Sequence, residues 1–415
     1  MSRALNKATL GSNENDLLKH NRSTLVKLLM KNGACSRAQI AQIMHLTQAA
    51  ISKTTNNLIQ EGIIEEGLPL KGGKGRRIIP LNLKSDAFQF IGIRITWKYF
   101  FVGVFTISGD CFAYEYENTN DANIENICER IIDKVNAYCR KFDKIIAAGV
   151  SVPSPYIGQE GRILPIGEKG TWGDFDIRSI RKRVEIPVYF KNDAKAGALA
   201  EWWFGNHQCK VLFHLLVGEE LSSSIIVDGE PFVGSYGIAG EIGQTVVDYS
   251  TGKLLSDYCT EQSFLHHTRC NIPENSVLNT NNFITLQDVF DAAARNDAYS
   301  IACISELGRY LGIAIANSIN LFNPDTVVIS GMFTNAGQLL LDAIKKTASS
   351  LVVPYVFEKV SIEYSSVNRQ WIKGSNQEST PILGQIDTSV LGAVAVAVDM
   401  FLEDTSRFVN RDNSR

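Results

Sequence analysis

The chain has 415 residues, 45% apolar and 20% charged, the balance of an ordinary globular protein. No apolar run approaches the ~18 residues that a bilayer-spanning helix needs, and no charged-then-apolar leader opens the chain, so a cytoplasmic protein is expected rather than a membrane or secreted one. The net charge of −3 is unevenly divided: residues 1–84 carry +8 and the remainder −11, the polarity of a chain whose leading end grips a phosphate backbone.

Helical periodicity begins near Asn21, with Leu25, Leu28 and Leu29 on one face, and Asn32-Gly33 supplies a C-cap. Ser36 reads as an N-cap and Gln39 completes a capping box for a second helix, Arg37 to about Met44, that should bury Ile40, Ala41 and Ile43. After a three-residue turn, Thr47 caps a third helix reaching about Glu61, with Ile51, Leu58 and one of Thr54 or Thr55 inside. Two short helices joined by such a turn form the helix-turn-helix pattern, whose second helix enters the DNA major groove. Its outward residues are Gln48, Ala49, Ser52, Lys53 and Asn56; Gln and Asn can pair with adenine edges, and Lys with guanine or phosphate. A strand near Gly62–Glu65 and another near Ile78–Leu81 flank a glycine-rich basic hairpin. Lys71, Lys74, Arg76 and Arg77 there would make a wing lying on the DNA.

From Phe88 the texture turns to β. Phe88–Ile95, Tyr99–Thr106 and Cys111–Glu117 read as strands, followed by a helix near Ile124–Tyr138 and a buried strand Ile145–Val152. The pattern then returns: Val211–Val217 and Ser222–Val227, the turn Asp228-Gly229, and a short third strand near Phe232. A long helix Ile301–Leu321, a strand Thr326–Ser330 and a closing helix Val390–Leu402 complete it, so a duplicated α/β body with a cleft between halves is expected. The eight cysteines form no CxxC pair, which argues for buried free thiols over disulfides or a zinc ribbon.

Several stretches resemble the ROK family of repressors, open reading frames and kinases. In the head they are NRSTLVKLLMKNGACSRAQI from Asn21 and GGKGRRIIPLNL from Gly72; in the body they are VYFKNDAKAGALAEWWFG from Val188 and GSYGIAGEIGQ from Gly234. Weaker support comes from GVSVPSPYIGQEG, NPDTVVISG and LGAVAVAV. The resemblance implies a winged helix-turn-helix over residues 1–84 and, over 85–415, a two-lobed α/β body with the ribonuclease-H-like, actin-like fold of sugar kinases.

By that resemblance Asp193 stands where the kinases keep the general base for a sugar hydroxyl, and Asn192 where a neighbouring hydroxyl is held. Glu241 and Glu261 match further sugar contacts. Gln244 replaces the family's His, and of the family's zinc cysteines only Cys259 remains, with His266 and His267 nearby, so neither zinc nor another cofactor is expected. Trp172 reads first as a packing residue, with stacking on a sugar as the alternative. The kinases' two phosphate loops are glycine-rich, because backbone N–H groups must approach phosphates closely. Here they read Arg94-Ile95-Thr96-Trp97-Lys98 and Gly218-Glu219-Glu220-Leu221-Ser222, which have lost most of those glycines and gained two carboxylates. The expectation is therefore a non-enzymatic, sugar-responsive repressor of carbohydrate genes, with Asp193 a vestigial base and a homodimer on a double-stranded operator. An active sugar kinase with a regulatory head is the alternative, and a body that docks a protein is a third reading.

Overall fold

A computed structural model describes residues 14–71, 77–119, 123–164, 172, 175–207, 209–280, 283–367 and 388–403. The head contains α1 (Glu14–Asn32), β1 (Cys35–Ser36), α2 (Arg37–Ile43), α3 (Gln48–Gln60), β2 (Ile64–Glu66), β3 (Leu70–Lys71), β4 (Arg77–Ile78) and β5 (Pro80–Leu83). Its three helices cover a small sheet ordered β1-β5-β2, and β3 pairs antiparallel with β4. Leu25, Ile40, Ile51, Leu58 and Leu81 fill its core. Helix α1 starts seven residues earlier than its periodicity predicts. Ile43, expected inside, is 51% exposed; it stands at the end of α2 and faces a gap between head and body.

The body is built twice. Its first sheet uses β6 (Gln89–Ile95), β7 (Tyr99–Thr106), β8 (Cys111–Asn118), β9 (Ile145–Val152) and β12 (Val188–Asn192), ordered β12-β9-β6-β7-β8. Helix α4 (Ile124–Lys141) makes the crossover, and the small hairpin β10 (Tyr156–Ile157) with β11 (Arg162–Ile163) follows β9. The second sheet uses β13 (Val211–Val217), β14 (Leu221–Val227), β15 (Glu230–Pro231), β18 (Thr326–Ser330) and β19 (Ser361–Tyr364), ordered β15-β14-β13-β18-β19. In each sheet three antiparallel strands joined by tight turns are extended by two parallel ones, and parallel pairing requires a long crossover. The second crossover is large: β16 (Val246–Asp248), β17 (Lys253–Leu254), α6 (Ser256–Cys259), α7 (Glu261–Cys270), α8 (Leu286–Ala294) and α9 (Ala298–Phe322) precede β18, and α10 (Gly337–Leu351) and α11 (Pro354–Phe357) precede β19.

Two helices, α5 (Asp193–Phe204) and α12 (Thr388–Glu403), pack on one another between the sheets, α12 against β6 and β9 and α5 against β13 and β14. Both are buried almost all round; α12 is nearly all apolar, while α5 also buries Asp193, Lys195 and Glu201. Their approach is very close: a Cβ added at Gly392 would lie 2.0 Å from the Ala196 carbonyl oxygen. Helix α1 also packs on α12, and Arg22 Nε donates to the Leu402 carbonyl at 3.1 Å while its guanidinium pairs with Glu61. Among the described residues no helix is long and apolar enough to cross a membrane.

Candidate functional site

In the head, the Ser36 hydroxyl accepts from the Gln39 N–H and the Gln39 side chain accepts from the Ser36 N–H, so α2 starts with both donors satisfied. Thr47 caps α3 through the Ala50 N–H at 3.3 Å. Ile51, Thr54, Thr55 and Leu58 turn inward, which leaves Gln48, Ala49, Lys53 and Asn56 exposed on one face and Ser52 half-buried. Arg37, which sequence reasoning passed over, joins this face. Its guanidinium donates to Thr55 Oγ1 (3.1 Å) and Asn56 Oδ1 (3.3 Å) and pairs with Glu66 (2.8 Å). Lys71 and Arg77 sit on the paired strands β3 and β4, but their side chains, and Lys74 and Arg76 entirely, lie outside the described residues.

In the body, β12 ends where α5 begins, and that junction turns Asn192 and Asp193 toward the cleft. Asn192 caps α5 by accepting from the Lys195 N–H at 3.1 Å, and its amide donates to Ser154 Oγ at 2.9 Å. Ser154 Oγ in turn donates to Asp193 Oδ1 at 2.9 Å, which also accepts from the Ala194 N–H (2.8 Å) and from Ser222 Oγ (3.4 Å). Asp193 is thus held by a ring of hydroxyl and backbone donors. Neither serine was among the sugar-contact side chains expected from the sequence; Ser154 lies in the stretch GVSVPSPYIGQEG, and for Ser222 the serine run at the start of β14 was the available signal. Glu241 follows Gly240, whose φ of +105° and contact with the Ser223 carbonyl leave no room for a side chain. That carbonyl contact is part of a lock in which Gly240 O accepts from both the N–H and the hydroxyl of Ser223.

The electrostatics of this pocket are tense. Burial, and then repulsion by Asp193, push Glu241 up to about 7, with Lys195 pulling the other way. Burial lowers Lys195 despite Glu241 and Asp193, and its ammonium donates to the Ala239 carbonyl at 3.0 Å. Glu241 Oε1 is buried and accepts no hydrogen bond in this structure. A buried acceptor without a donor is costly, and a ligand hydroxyl would relieve it. Gln244 is exposed at the end of the short turn Ile242–Gln244.

Across the cleft the two loops that resemble the kinases' phosphate loops engage one another. The Trp97 indole N–H donates to Glu220, and its ring lies 4.2 Å from that of buried Trp172, so Trp172 serves packing. Lys98 pairs with Glu219 at 3.6 Å and with Glu261, the first residue of α7. Glu261 is therefore brought to this clasp, and its N–H donates to the Gly218 carbonyl at 2.9 Å. Cys259 is fully buried and burial pushes its thiol far up; His267 Nε2 instead donates to the Asp257 carbonyl at 3.0 Å. Among the described residues no group of three or more His, Cys, Asp or Glu could hold a metal ion.

The chain is similar to known proteins over most of its length. Over 367 residues the chain is 28% identical to a xylose repressor of Caldicellulosiruptor bescii, covering 84% of this chain and 92% of that one. It is 29% identical over 349 residues to the DNA-binding transcriptional dual regulator NagC of Escherichia coli K12, covering 80% and 85%. Among solved structures, a ROK family transcriptional regulator described as a homologue of the E. coli MLC protein superposes with a TM-score of 0.72 at 22% identity, over 93% of this chain and 97% of that one. That likeness spans the helical head as well as the sugar-kinase-like α/β body. Residues 90–384 match the ROK family pattern, and the chain belongs to the ROK family.

Proposed function

We propose that this chain is a sugar-responsive transcriptional repressor that does not phosphorylate its sugar. The observation that carries the reading is the Glu241 carboxylate, buried beside Asp193 with an acceptor left open, in a body whose phosphate loops are occupied by their own clasp. A sugar hydroxyl donating to Asp193 and Glu241, with Asn192 and Gln244 nearby, fits carboxylate chemistry without any phosphoryl donor, and Glu261 would join them only on release from Lys98. Triphosphate binding needs donors, whereas Glu219 and Glu220 offer only acceptors. The repressor and regulator names of the relatives agree with this choice.

The signal has a physical route. Ser389 Oγ, at the start of α12, donates to the Asp193 carbonyl at 3.3 Å, and Leu402, at its end, accepts from Arg22, which holds Glu61 at the end of α3. One buried helix thus touches both the pocket and the head. A sugar shifts DNA affinity through it only by binding the released arrangement more tightly than the DNA-bound one. Two heads on a pseudo-palindrome, hence a homodimer, match helix-turn-helix geometry. Gln48, Ala49, Ser52, Lys53 and Asn56 would face the groove, with Lys71, Lys74, Arg76 and Arg77 on the backbone.

The test is a thermal-shift screen of pentoses, hexoses, amino sugars and their phosphates, followed by gel shifts with each hit. A hit should raise the melting temperature and weaken operator binding, with no ADP released when ATP is added. ATP-dependent turnover that Asp193→Asn abolishes would instead make this an active kinase. In the same gel shifts, Lys53→Ala should lower the slope of log affinity against log salt by about one; an unaltered slope would remove Lys53 from the interface.

A further inference from the structure

A cavity of about 580 Å³ lies between head and body, outside the sugar pocket and within the size range of small-molecule sites. Its walls have opposite character. From α1 come Lys27 and Lys31, one turn apart on the same face of the helix; from α12 and β15 come Asp399, Glu403 and Glu230. The Lys27 ammonium sits 3.2 Å from the centroid of the Trp202 ring, and Lys31 donates to the His207 carbonyl at 3.0 Å. Among the described residues neither ammonium forms an ion pair with a carboxylate. The two walls do not cancel each other either. Burial, then Lys31, push Lys27 down to about 6, and burial, then Glu230 and Glu403, push Asp399 up to about 7.

A ligand with one anionic end and several hydroxyls would relieve both walls. An entering anion would favour the protonated form of Lys27, which burial and Lys31 disfavour, and would hold both amines charged, while hydroxyls donate to the carboxylates. Inorganic phosphate answers only the first wall and a neutral sugar only the second. We propose that this cavity binds a hydroxyl-bearing phosphate monoester, its phosphate between Lys27 and Lys31 and its hydroxyls toward Asp399 and Glu230. Because α1 belongs to the head and α12 to the body, an occupant fixes the head on the body; that consequence rests on the reading of the chain as a DNA-binding regulator, whereas the binding itself does not.

Calorimetry on the full chain tests the site without DNA, using a panel of triose, pentose and hexose phosphates with glucose and inorganic phosphate as controls. At least one sugar phosphate should bind wild type and Asp193→Asn equally, more tightly than either control, and at least tenfold more weakly in the Lys27→Met, Lys31→Met double variant. Lys27→Arg, which keeps the charge, should hold affinity within threefold. An unvarying affinity in the double variant would overturn the proposal, as would loss in Asp193→Asn, which puts the ligand in the body's cleft, or no binding by any member. A second readout needs no substitution. Cys209 lines the same cavity, so the bound ligand should slow its alkylation severalfold while leaving exposed Cys270 unchanged; equal rates with and without ligand would also sink the site. Failure of bound ligand to alter operator affinity would leave the site standing and remove only its link to the head.

Discussion

On one side of the body's cleft, a strand–helix junction delivers Asn192 and Asp193 beside Glu241, a carboxylate with an open acceptor; on the other, two hairpin turns deliver Trp97, Lys98, Glu219 and Glu220, which already bond to one another or to Glu261. The same duplicated scaffold supports both. What separates them is where the partners come from. The first side keeps one carboxylate oxygen, Glu241 Oε1, without a donor, whereas on the second Lys98 pairs with both Glu219 and Glu261. If the chain binds no triphosphate, as proposed, the reason would be one of chemistry and not only of shape, because carboxylates cannot supply the donors that a phosphate needs.

This contrast can be broken by experiment, beginning with the largest effect. Asp193→Ala should weaken sugar binding by about 100-fold, as expected when charged hydrogen bonds worth roughly 1.5–3 kcal/mol each are lost, and calorimetry would read it. Binding that survives the change would mean the sugar sits elsewhere. Next comes pH. Glu241 titrates at about 7 and accepts hydroxyls best when ionised, so sugar affinity should rise roughly tenfold from pH 6 to pH 8 and level off above. Glu241→Gln should flatten that profile; a profile that persists assigns the titration to another group. In the unliganded protein the sign is opposite. The carboxyl binds its proton more tightly folded than unfolded, so its contribution to stability is full below pH 4.5 and declines as pH rises through about 7. The smallest effect belongs to the clasp. The Lys98 side chain is 59% exposed, so Lys98→Met should cost under about 1 kcal/mol, a shift of a few degrees in melting temperature. It should confer no ATP binding, because Glu219 and Glu220 remain; ATP affinity appearing in that variant would erase the difference between the sides.

Local signals carried most of the fold. The strands Tyr99–Thr106, Ile145–Val152, Val211–Val217 and Thr326–Ser330 lie where alternation and apolar runs put them, and Ser36 and Thr47 cap the helices their side chains mark. Long-range packing hid the rest. The packing of α1 on α12, through Arg22 and Leu402, involves residues 380 apart, which no window of head sequence contains. The pocket was legible at Asn192-Asp193 because a strand–helix junction is a local pattern. The clasp was not, since Trp97 and Glu220 are 123 residues apart and Lys98 and Glu261 are 163 apart. Sequence could register that these loops had lost glycines, but not that the replacements would find each other.

Gly392 has a consequence for how such a chain can change. A glycine inside a helix lowers helical stability by about 1 kcal/mol relative to alanine, yet at this position alanine would drive its methyl into the backbone of α5. Position 392 is therefore closed to all other residue types, however well they suit a helix. In a library of every single replacement, it should reject even alanine, which its buried neighbour Ala393 already carries, marking the seam along which the halves of the body are joined.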